Sequence, residues 1–247
     1  MKDHLERIYL SVVILCYKEG SFIISQVESL YRQLSFFNFP WEIILVSNQF
    51  EGEEEDETTR LVKELEKQFP NVHAVTLKKQ GMYGWDMKSG IEKSSGEYIA
   101  VIDGDGQAPL ESIAISVLKM EEKQLDLLQA YRVKRLDGIY RKIITKIYNF
   151  IFHLLFRSKL HDINAMPKVF RKEKIRELKL NSEDWFIHAE IAIKAEKLGL
   201  KISEIPIEPY PNTRRKSFVK SSDVIKFFID LLRYRFQKNH TEQNPTA

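Results

Sequence analysis

The chain has very little cysteine and no long apolar run. Among its 247 residues only Cys16 is a cysteine, which excludes an intrachain disulfide and suggests a reducing compartment. The longest apolar stretches, IYNFIFHLLF and VIKFFIDLL, are about ten residues long, whereas a membrane-spanning helix needs roughly 20. The first residues, MKDHLERIYL, lack the apolar centre of a signal peptide. We therefore expect a cytoplasmic protein without a membrane span.

Glycine and proline are also scarce, and no stretch rich in them divides the chain. One α/β domain over residues 1–236 is expected, followed by a polar, disordered tail over residues 237–247. The net charge of +3 is too small to indicate nucleic-acid binding without a clustered patch. Basic residues are concentrated near 132–146 and 214–220, a pattern typical of phosphate binding that a solvated helix face also produces.

Short β-branched runs alternate with longer amphipathic segments. LSVVILCY, WEIILVS, NVHAVTL and EYIAVID predict strands, and the segments between them have helical spacing. A helix is expected from about Ser21, its candidate N-cap, to Phe37. This alternation is typical of βαβ units, so the predicted fold is a mostly parallel sheet flanked by helices. Ligands of such sheets bind beyond the carboxyl ends of the strands, which places Tyr17, Ser47 and Asn48 on one rim.

The segment YIAVIDGDGQAP, residues 98–109, carries the strongest chemical signal. Its apolar run ends in Asp103 and Asp105, and Gln107 follows two residues later. A divalent cation prefers such hard oxygen ligands and needs few from the protein when substrate phosphates supply the rest. An Asp-Gly hairpin turn is the alternative. The helical pattern after Pro109 argues against a returning strand.

Several of these segments together resemble one family. They are ILCYKEG, EIILVSN, the run from KKQG to DGDGQAP, QAYRVKRLDGIYRK, HDINAMPK and KISEIPIEP. In this order they are similar to family 2 glycosyltransferases of the GT-A fold, and most similar to polyprenyl-phosphate sugar synthases of the dolichyl-phosphate mannose synthase type. The resemblance implies a metal-dependent, inverting transferase that moves a sugar from a UDP- or GDP-sugar to a polyprenyl phosphate.

The resemblance also implies roles for individual residues. Asp103, Asp105 and Gln107 match a D-x-D-x-Q motif that holds Mg²⁺ or Mn²⁺ on the diphosphate of the donor. The other residues assigned to the donor are Tyr17, Glu19, Ser47, Asn48, Gly81, Gly84, Asp86, Arg214, Arg215 and Lys220. Ser47 and Asn48 replace the family's usual Asp-Asp pair, Lys18 replaces its usual Asn, and Asp86 also departs from its pattern, so the nucleotide base stays open.

On the acceptor side, Arg132 and Arg141 match basic residues that bind the acceptor phosphate. A phosphate acceptor is already anionic and needs positioning but no general base. A sugar hydroxyl acceptor, as in cell-surface polysaccharide synthesis, needs a carboxylate to take its proton, and Asp184 and Asp162 are the candidates. Glu183 and Asp184 are also explained as acids in the first turn of a helix. A non-catalytic nucleotide-sugar binding module is the third alternative.

The helix predicted from Ile143 to Phe156 is apolar on more than one face. Core packing explains it, and so does contact with a membrane surface on which Lys142 and Lys146 meet the headgroups. In the second case, we expect Phe152 to face the lipid.

Overall fold

The protein is described by a computed structural model over residues 7–134, 139–211 and 221–236, with side chains for all of these except 139–141 and 221–225. Seven strands form one sheet; they are β1 Leu10–Leu15, β2 Trp41–Val46, β3 Val72–Val75, β4 Tyr98–Asp103, β5 Leu127–Arg132, β6 Lys168–Arg171 and β7 Ile202–Ile207. The helices are α1 Phe22–Leu34, α2 Glu57–Gln68, α3 Tyr83–Lys93, α4 Glu111–Glu122, α5 Ile139–Phe156, α6 Lys172–Glu177, α7 Ile187–Lys197 and α8 Ser221–Phe236.

The sheet order is β3-β2-β1-β4-β6-β5-β7, and only the pairs that involve β6 are antiparallel. The predicted α/β class is confirmed. Strands β1, β2 and β4 are almost wholly buried because helices cover both faces of the sheet, as their continuous β-branched runs require. β1 lies between β2 and β4. The chain passes from β1 to β2 on one side, and β4 is added later on the other side of β1. The carboxyl ends of these strands therefore border the crevice in which ligands of open α/β sheets bind.

Local details differ from the sequence expectations at three places. Ser21 occupies the N-cap position of α1, but its side chain makes no capping bond. The sequence MPKVFRKEKI predicts a short strand and a turn, but the segment after β6 forms the short helix α6. Helix α7 begins at Ile187. Glu183 and Asp184 therefore precede it, and the interpretation of these two as first-turn helix acids is wrong. Within the described residues no helix is both long and apolar enough to cross a bilayer.

Helix α3 packs closely on the sheet through Gly90. A Cβ atom built on Gly90 would overlap the side chain of Val13 and would lie 2.8 Å from Cγ2 of Val46. Both valines are fully buried, so neither can move away easily.

We expect Gly90→Ala to destabilise the fold by about 1–2 kcal/mol, because overpacking outweighs the gain in helix propensity. Urea unfolding followed by circular dichroism measures this. Glu92→Ala, at an exposed position of the same helix, should stay within about 0.5 kcal/mol of the wild type. Equal stability of the two variants would show that α3 is not closely packed on the sheet at Gly90.

Candidate active site

A cleft opens at the carboxyl edge of the sheet, beside the end of β4. It is lined by Asp103, Asp105, Gln107, Ala108, Arg132, Asn164, Met166, Ile207, Pro209 and Tyr210. The structure therefore brings together the two aspartates, the glutamine and one of the two arginines that the sequence selected. They come from the ends of β4 and β5, although β6 separates these strands in the sheet.

The backbone after β4 is turned so that its polar side chains share this cleft. Gly106 has a φ of +71°, the left-handed region that favours glycine. The backbone N–H of Gln107 donates to Oδ1 of Asp105 over 3.0 Å, and the carbonyl of Gln107 accepts from Tyr210 N over 2.8 Å. The loop is thus held by one hydrogen bond within itself and by another from the segment that follows β7.

The two carboxylates at the end of β4 repel each other. Burial, and then the negative charge of Asp105, raises the pKa of Asp103 to about 7, while a hydrogen bond from Tyr83 opposes this rise. The Tyr83 hydroxyl donates to Oδ1 of Asp103 over 2.7 Å. A bound cation would relieve this repulsion.

The ligand set fits a cation that shares its coordination with a substrate. No group of three or more His, Cys, Asp or Glu side chains suited to a metal occurs within residues 7–134, 139–211 and 221–236. Asp103, Asp105 and Gln107 offer two carboxylates and one amide oxygen. Magnesium-type ions are bound in this way, through one or two carboxylates plus substrate phosphates.

Arg132 reaches the same cleft and is held by Asp162. Its Nε donates to Oδ2 of Asp162 over 2.7 Å and its Nη2 to Oδ1 over 2.9 Å. Such a paired contact fixes the guanidinium plane. Behind the pair lies Lys168, which is fully buried and donates to Oε1 of Gln129 over 2.7 Å and to the carbonyl of Ile163 over 3.0 Å. Burial lowers the pKa of Lys168 to about 7.

A second cluster of polar side chains lies near the ends of β1 and β2. Lys79 forms a buried ion pair with Asp86, and its Nζ lies 4.2 Å from the centre of the Tyr17 ring. Asn48 donates to Oδ1 of Asp86 over 3.0 Å and accepts from Leu77 N over 2.7 Å. Burial raises the pKa of Asp86 although Lys79 and Asn48 oppose the rise. The predicted donor residues Tyr17, Asn48 and Asp86 therefore form one connected group.

Two other predicted donor residues flank this group. Ser47 is buried, and its hydroxyl lies 2.8 Å from Oγ1 of Thr59 on α2. Glu19 is also buried, and its charge contributes to the raised pKa of Asp103.

Gly81 and Gly84 meet the segment Ser182–Asp184. A Cβ atom on Gly84 would lie 2.6 Å from the carbonyl oxygen of Ser182, and one on Gly81 would lie 2.6 Å from Oε2 of Glu183. The carbonyl of Glu183 also accepts from Met82 N over 2.7 Å, at the N-terminus of α3. Both glycines lack a side chain, and this allows the segment to approach α3.

Asp184 lies in a different cavity from Asp103 and Asp105. This second, larger cavity is lined by Ser182, Glu183, Asp184, Phe186, Asp230, Arg233 and Tyr234. Asp184 forms an ion pair with Lys226, and Glu183 forms one with Lys88. The structure thus separates the two aspartates selected as hydroxyl-activating bases, since Asp162 lies beside the first cleft.

Four predicted site residues cannot be placed. Arg214, Arg215 and Lys220 lie outside the described residues, and so does the side chain of Arg141.

Sequence reasoning missed Tyr83, Lys79 and Lys168. Tyr83 stacks on Trp185 with ring centres 4.3 Å apart and donates to Asp103, so it connects the metal motif to the segment before α7. Lys79 stood in the glycine-containing segment KKQG, but periodicity alone does not distinguish it from Lys78. Lys168 carried no signal either, because a lysine at the first residue of a strand is usually exposed.

Comparisons with known proteins agree with one another. The profile described as Glycosyl transferase family 2 matches residues 11–179. A dodecaprenyl-phosphate galacturonate synthase from Rhizobium johnstonii is 26% identical over 95% of this chain and 68% of its own length. A dolichyl-phosphate beta-glucosyltransferase from Dictyostelium discoideum is 25% identical over 96% of this chain and 76% of its own length.

Two solved structures share the fold. Mannosyl-3-phosphoglycerate synthase from Rubrobacter xylanophilus superposes with a TM-score of 0.72 at 14% identity, covering 97% of this chain and 77% of its own. Glucosyl-3-phosphoglycerate synthase from Mycobacterium tuberculosis, in complex with Mn²⁺, UDP and phosphoglyceric acid, gives a TM-score of 0.68 at 12% identity, covering 92% and 78%. At these identities the likeness establishes the fold alone.

Replacing Asp103 should stabilise the protein when divalent cations are absent. The folded-state pKa of Asp103, about 7, lies above the ordinary value of 3.8. Protonated Asp103 therefore makes its full contribution to folding stability below about pH 4, and this contribution is lost as the pH rises through 7. With chelator at pH 8, we expect Asp103→Asn to raise the thermal midpoint by at least about 2 °C. At pH 5, where Asp103 is protonated, the difference should shrink.

Glu64→Gln, which removes an exposed acid from the middle of α2, serves as the control and should leave the midpoint unchanged at both pH values. A destabilised Asp103→Asn at pH 8 would contradict the proposed repulsion between Asp103 and Asp105.

Proposed function

Because the chain belongs to glycosyltransferase family 2, we propose that it moves a sugar from a nucleotide-diphospho-sugar to the phosphate of a polyprenyl lipid, with inversion at the sugar carbon. The named activities of the relatives from Rhizobium johnstonii and Dictyostelium discoideum support a lipid phosphate acceptor. The observation that carries the proposal is the shared cleft, in which Arg132 stands beside Asp103 and Asp105. A cation site and a fixed guanidinium together suit two phosphate groups, one from the donor and one from the acceptor.

Each side chain then has a distinct part. Asp103, Asp105 and Gln107 would hold Mg²⁺ or Mn²⁺, and the Mn²⁺ in the Mycobacterium tuberculosis structure supports a divalent cation. When bound, such a cation neutralises the charge that develops on the leaving diphosphate. Tyr83 orients Asp103. The group of Tyr17, Asn48, Lys79 and Asp86 would bind the nucleoside of a UDP- or GDP-sugar.

Arg132 would bind the acceptor phosphate, and Asp162 would position Arg132 through its two hydrogen bonds. The acceptor oxygen is already negatively charged, so it can attack the sugar carbon without a general base. We assign Arg141, Arg214, Arg215 and Lys220 to phosphate binding on the basis of the family resemblance. Residues 1–236 would form the catalytic domain and residues 237–247 a tail.

A polyprenyl chain remains in the bilayer, whereas the nucleotide-sugar is soluble in water. The enzyme must therefore meet its acceptor at a membrane surface, and we propose the cytoplasmic face. Transfer to a sugar hydroxyl is the alternative function, although Asp184 lies in a different cavity from Asp103 and Asp105. That reaction would require Asp184 as the base.

A transfer assay tests the function directly. The enzyme is incubated with a panel of UDP- and GDP-sugars and a short, water-soluble polyprenyl phosphate, with Mn²⁺, Mg²⁺ or chelator. We expect a glycolipid from one donor, formed only with a cation, and at least about 100-fold less with Asp105→Asn. Hydrolysis of a donor without glycolipid would exclude the lipid acceptor, and no turnover with any donor would favour a non-catalytic binding module.

Asp184→Asn distinguishes the two acceptor classes. If the acceptor is a phosphate, the rate should stay within about threefold of the wild type, because no proton needs to be removed. A loss of about 100-fold or more would instead assign Asp184 as the base and favour the hydroxyl acceptor.

Arg132→Lys tests the acceptor site. Lysine keeps the positive charge but loses the two parallel hydrogen bonds to Asp162, so we expect the KM for polyprenyl phosphate to rise about tenfold. The KM for the donor should change little. Lys134→Ala, an exposed cation two residues away, is the control and should leave both values unchanged. An unaltered acceptor KM in Arg132→Lys would remove Arg132 from the acceptor site.

A further inference from the structure

Helix α5 exposes a continuous apolar stripe. Ile143, Ile147, Phe150 and Leu154 are spaced by four, three and four residues, which places all four on one face of the helix. Phe150 is 67% exposed and Leu154 is 71% exposed. Large apolar side chains scattered over a surface are ordinary, but a stripe of this kind marks an interaction surface.

The opposite face of α5 belongs to the core. Tyr148 and Phe152 are buried in a cluster that also contains Phe186, Ile193 and Leu231. The expectation that Phe152 faces lipid is therefore wrong, since its side chain is 0% exposed. The exposed side chain is that of Phe150, about half a turn away.

Helix α8 lies beside α5 and adds to the exposed apolar surface. Tyr148 packs against Phe227 and Phe228, and Phe156 packs against Tyr234, so the two helices run in the same direction. On α8 the large exposed apolar side chains are Ile229, Leu232 and Phe236. Leu231, on its other side, is buried in the same cluster as Phe152.

The charges beside the stripe on the described part of α5 are positive, and on α8 Asp230 is paired with Arg233. The sequence of α5 contains no aspartate or glutamate. Lys142 and Lys146 are exposed near its start, and Arg157 is exposed just beyond its end. The exposed pair Ile115 and Leu118 on α4 differs, because acidic side chains such as Glu111 and Glu122 lie one turn away. An apolar stripe whose neighbouring charges on α5 are cations is complementary to an anionic lipid surface.

The location of α5 also matches this partner. Asn149 donates to the carbonyl of His161 over 3.0 Å, and His153 Nε2 bonds to the carbonyl of Leu160 over 2.7 Å. These bonds attach α5 to the segment that presents Asp162 to Arg132. The helix that carries the stripe is therefore connected to a segment that borders the cleft.

A second copy of the chain fits the stripe less well. A twofold contact places the same patch on both partners, so the lysines beside one stripe would approach those beside the other. We propose that the stripe of α5, extended by α8, is the surface on which this protein docks onto an anionic bilayer. This proposal rests on the proposed function, because a membrane-bound acceptor gives docking its role, but docking itself requires no substrate.

Sedimentation of the full chain with vesicles tests the docking. Vesicles of phosphatidylcholine with phosphatidylglycerol are compared with vesicles of phosphatidylcholine alone. We expect binding to the anionic vesicles that weakens at high salt. Phe150→Glu with Leu154→Glu should weaken binding at least about tenfold. The matched control, Ile115→Glu with Leu118→Glu, should bind like the wild type.

Three results would overturn the proposal: no binding of the wild type, equal loss in both double variants, or a dimer that Phe150→Glu with Leu154→Glu dissociates. If that variant fails to fold, Lys142→Glu with Lys146→Glu replaces it, and undiminished binding would count equally against the proposal. Transfer to a short, water-soluble polyprenyl phosphate should be unchanged in Phe150→Glu with Leu154→Glu. Absence of this transfer in the wild type would contradict the proposed function and leave the docking result intact.

Discussion

The repulsion between Asp103 and Asp105 is the constraint around which the cleft is organised. β4 ends in Asp103, and burial, followed by the negative charge of nearby Asp105, raises the pKa of Asp103 to about 7. A fold does not retain such a pair for stability, because burying an acid with a second negative charge nearby is unfavourable. A ligand that supplies positive charge would relieve this cost. The hydrogen bond from Tyr83 holds the Asp103 carboxylate in its orientation.

Two cations near this carboxylate pair are each matched by an acidic partner. Arg132 is paired with Asp162, and Lys79 with Asp86. Pairing fixes the cations in position before any substrate arrives, which lowers the cost of organising the site during the reaction. The sheet topology makes this possible, because the antiparallel strand β6 lies between β4 and β5 and carries Lys168 into the space beneath Arg132 and Asp162.

Much of the fold followed from local pattern. Buried parallel strands are continuous β-branched runs, so β1, β2 and β4 were recognisable, and the acidic motif was visible because it interrupts such a run. Tyr83 and Lys79 were not recognisable, since their roles depend on which loop faces which strand end. The face of α5 that meets the core could not be predicted either. Both Phe150 and Phe152 are apolar, and only tertiary packing decides that Phe152 is buried.

We propose that Asp103 and Asp105 bind a nucleoside diphosphate through a divalent cation. The most direct measurement is calorimetric titration of UDP and GDP into the protein with Mn²⁺ and with chelator. We expect Mn²⁺ to tighten binding of one nucleotide at least about tenfold, and Asp105→Asn to remove most of this coupling. Equal affinity with and without the cation, or coupling that persists in Asp105→Asn, would contradict it.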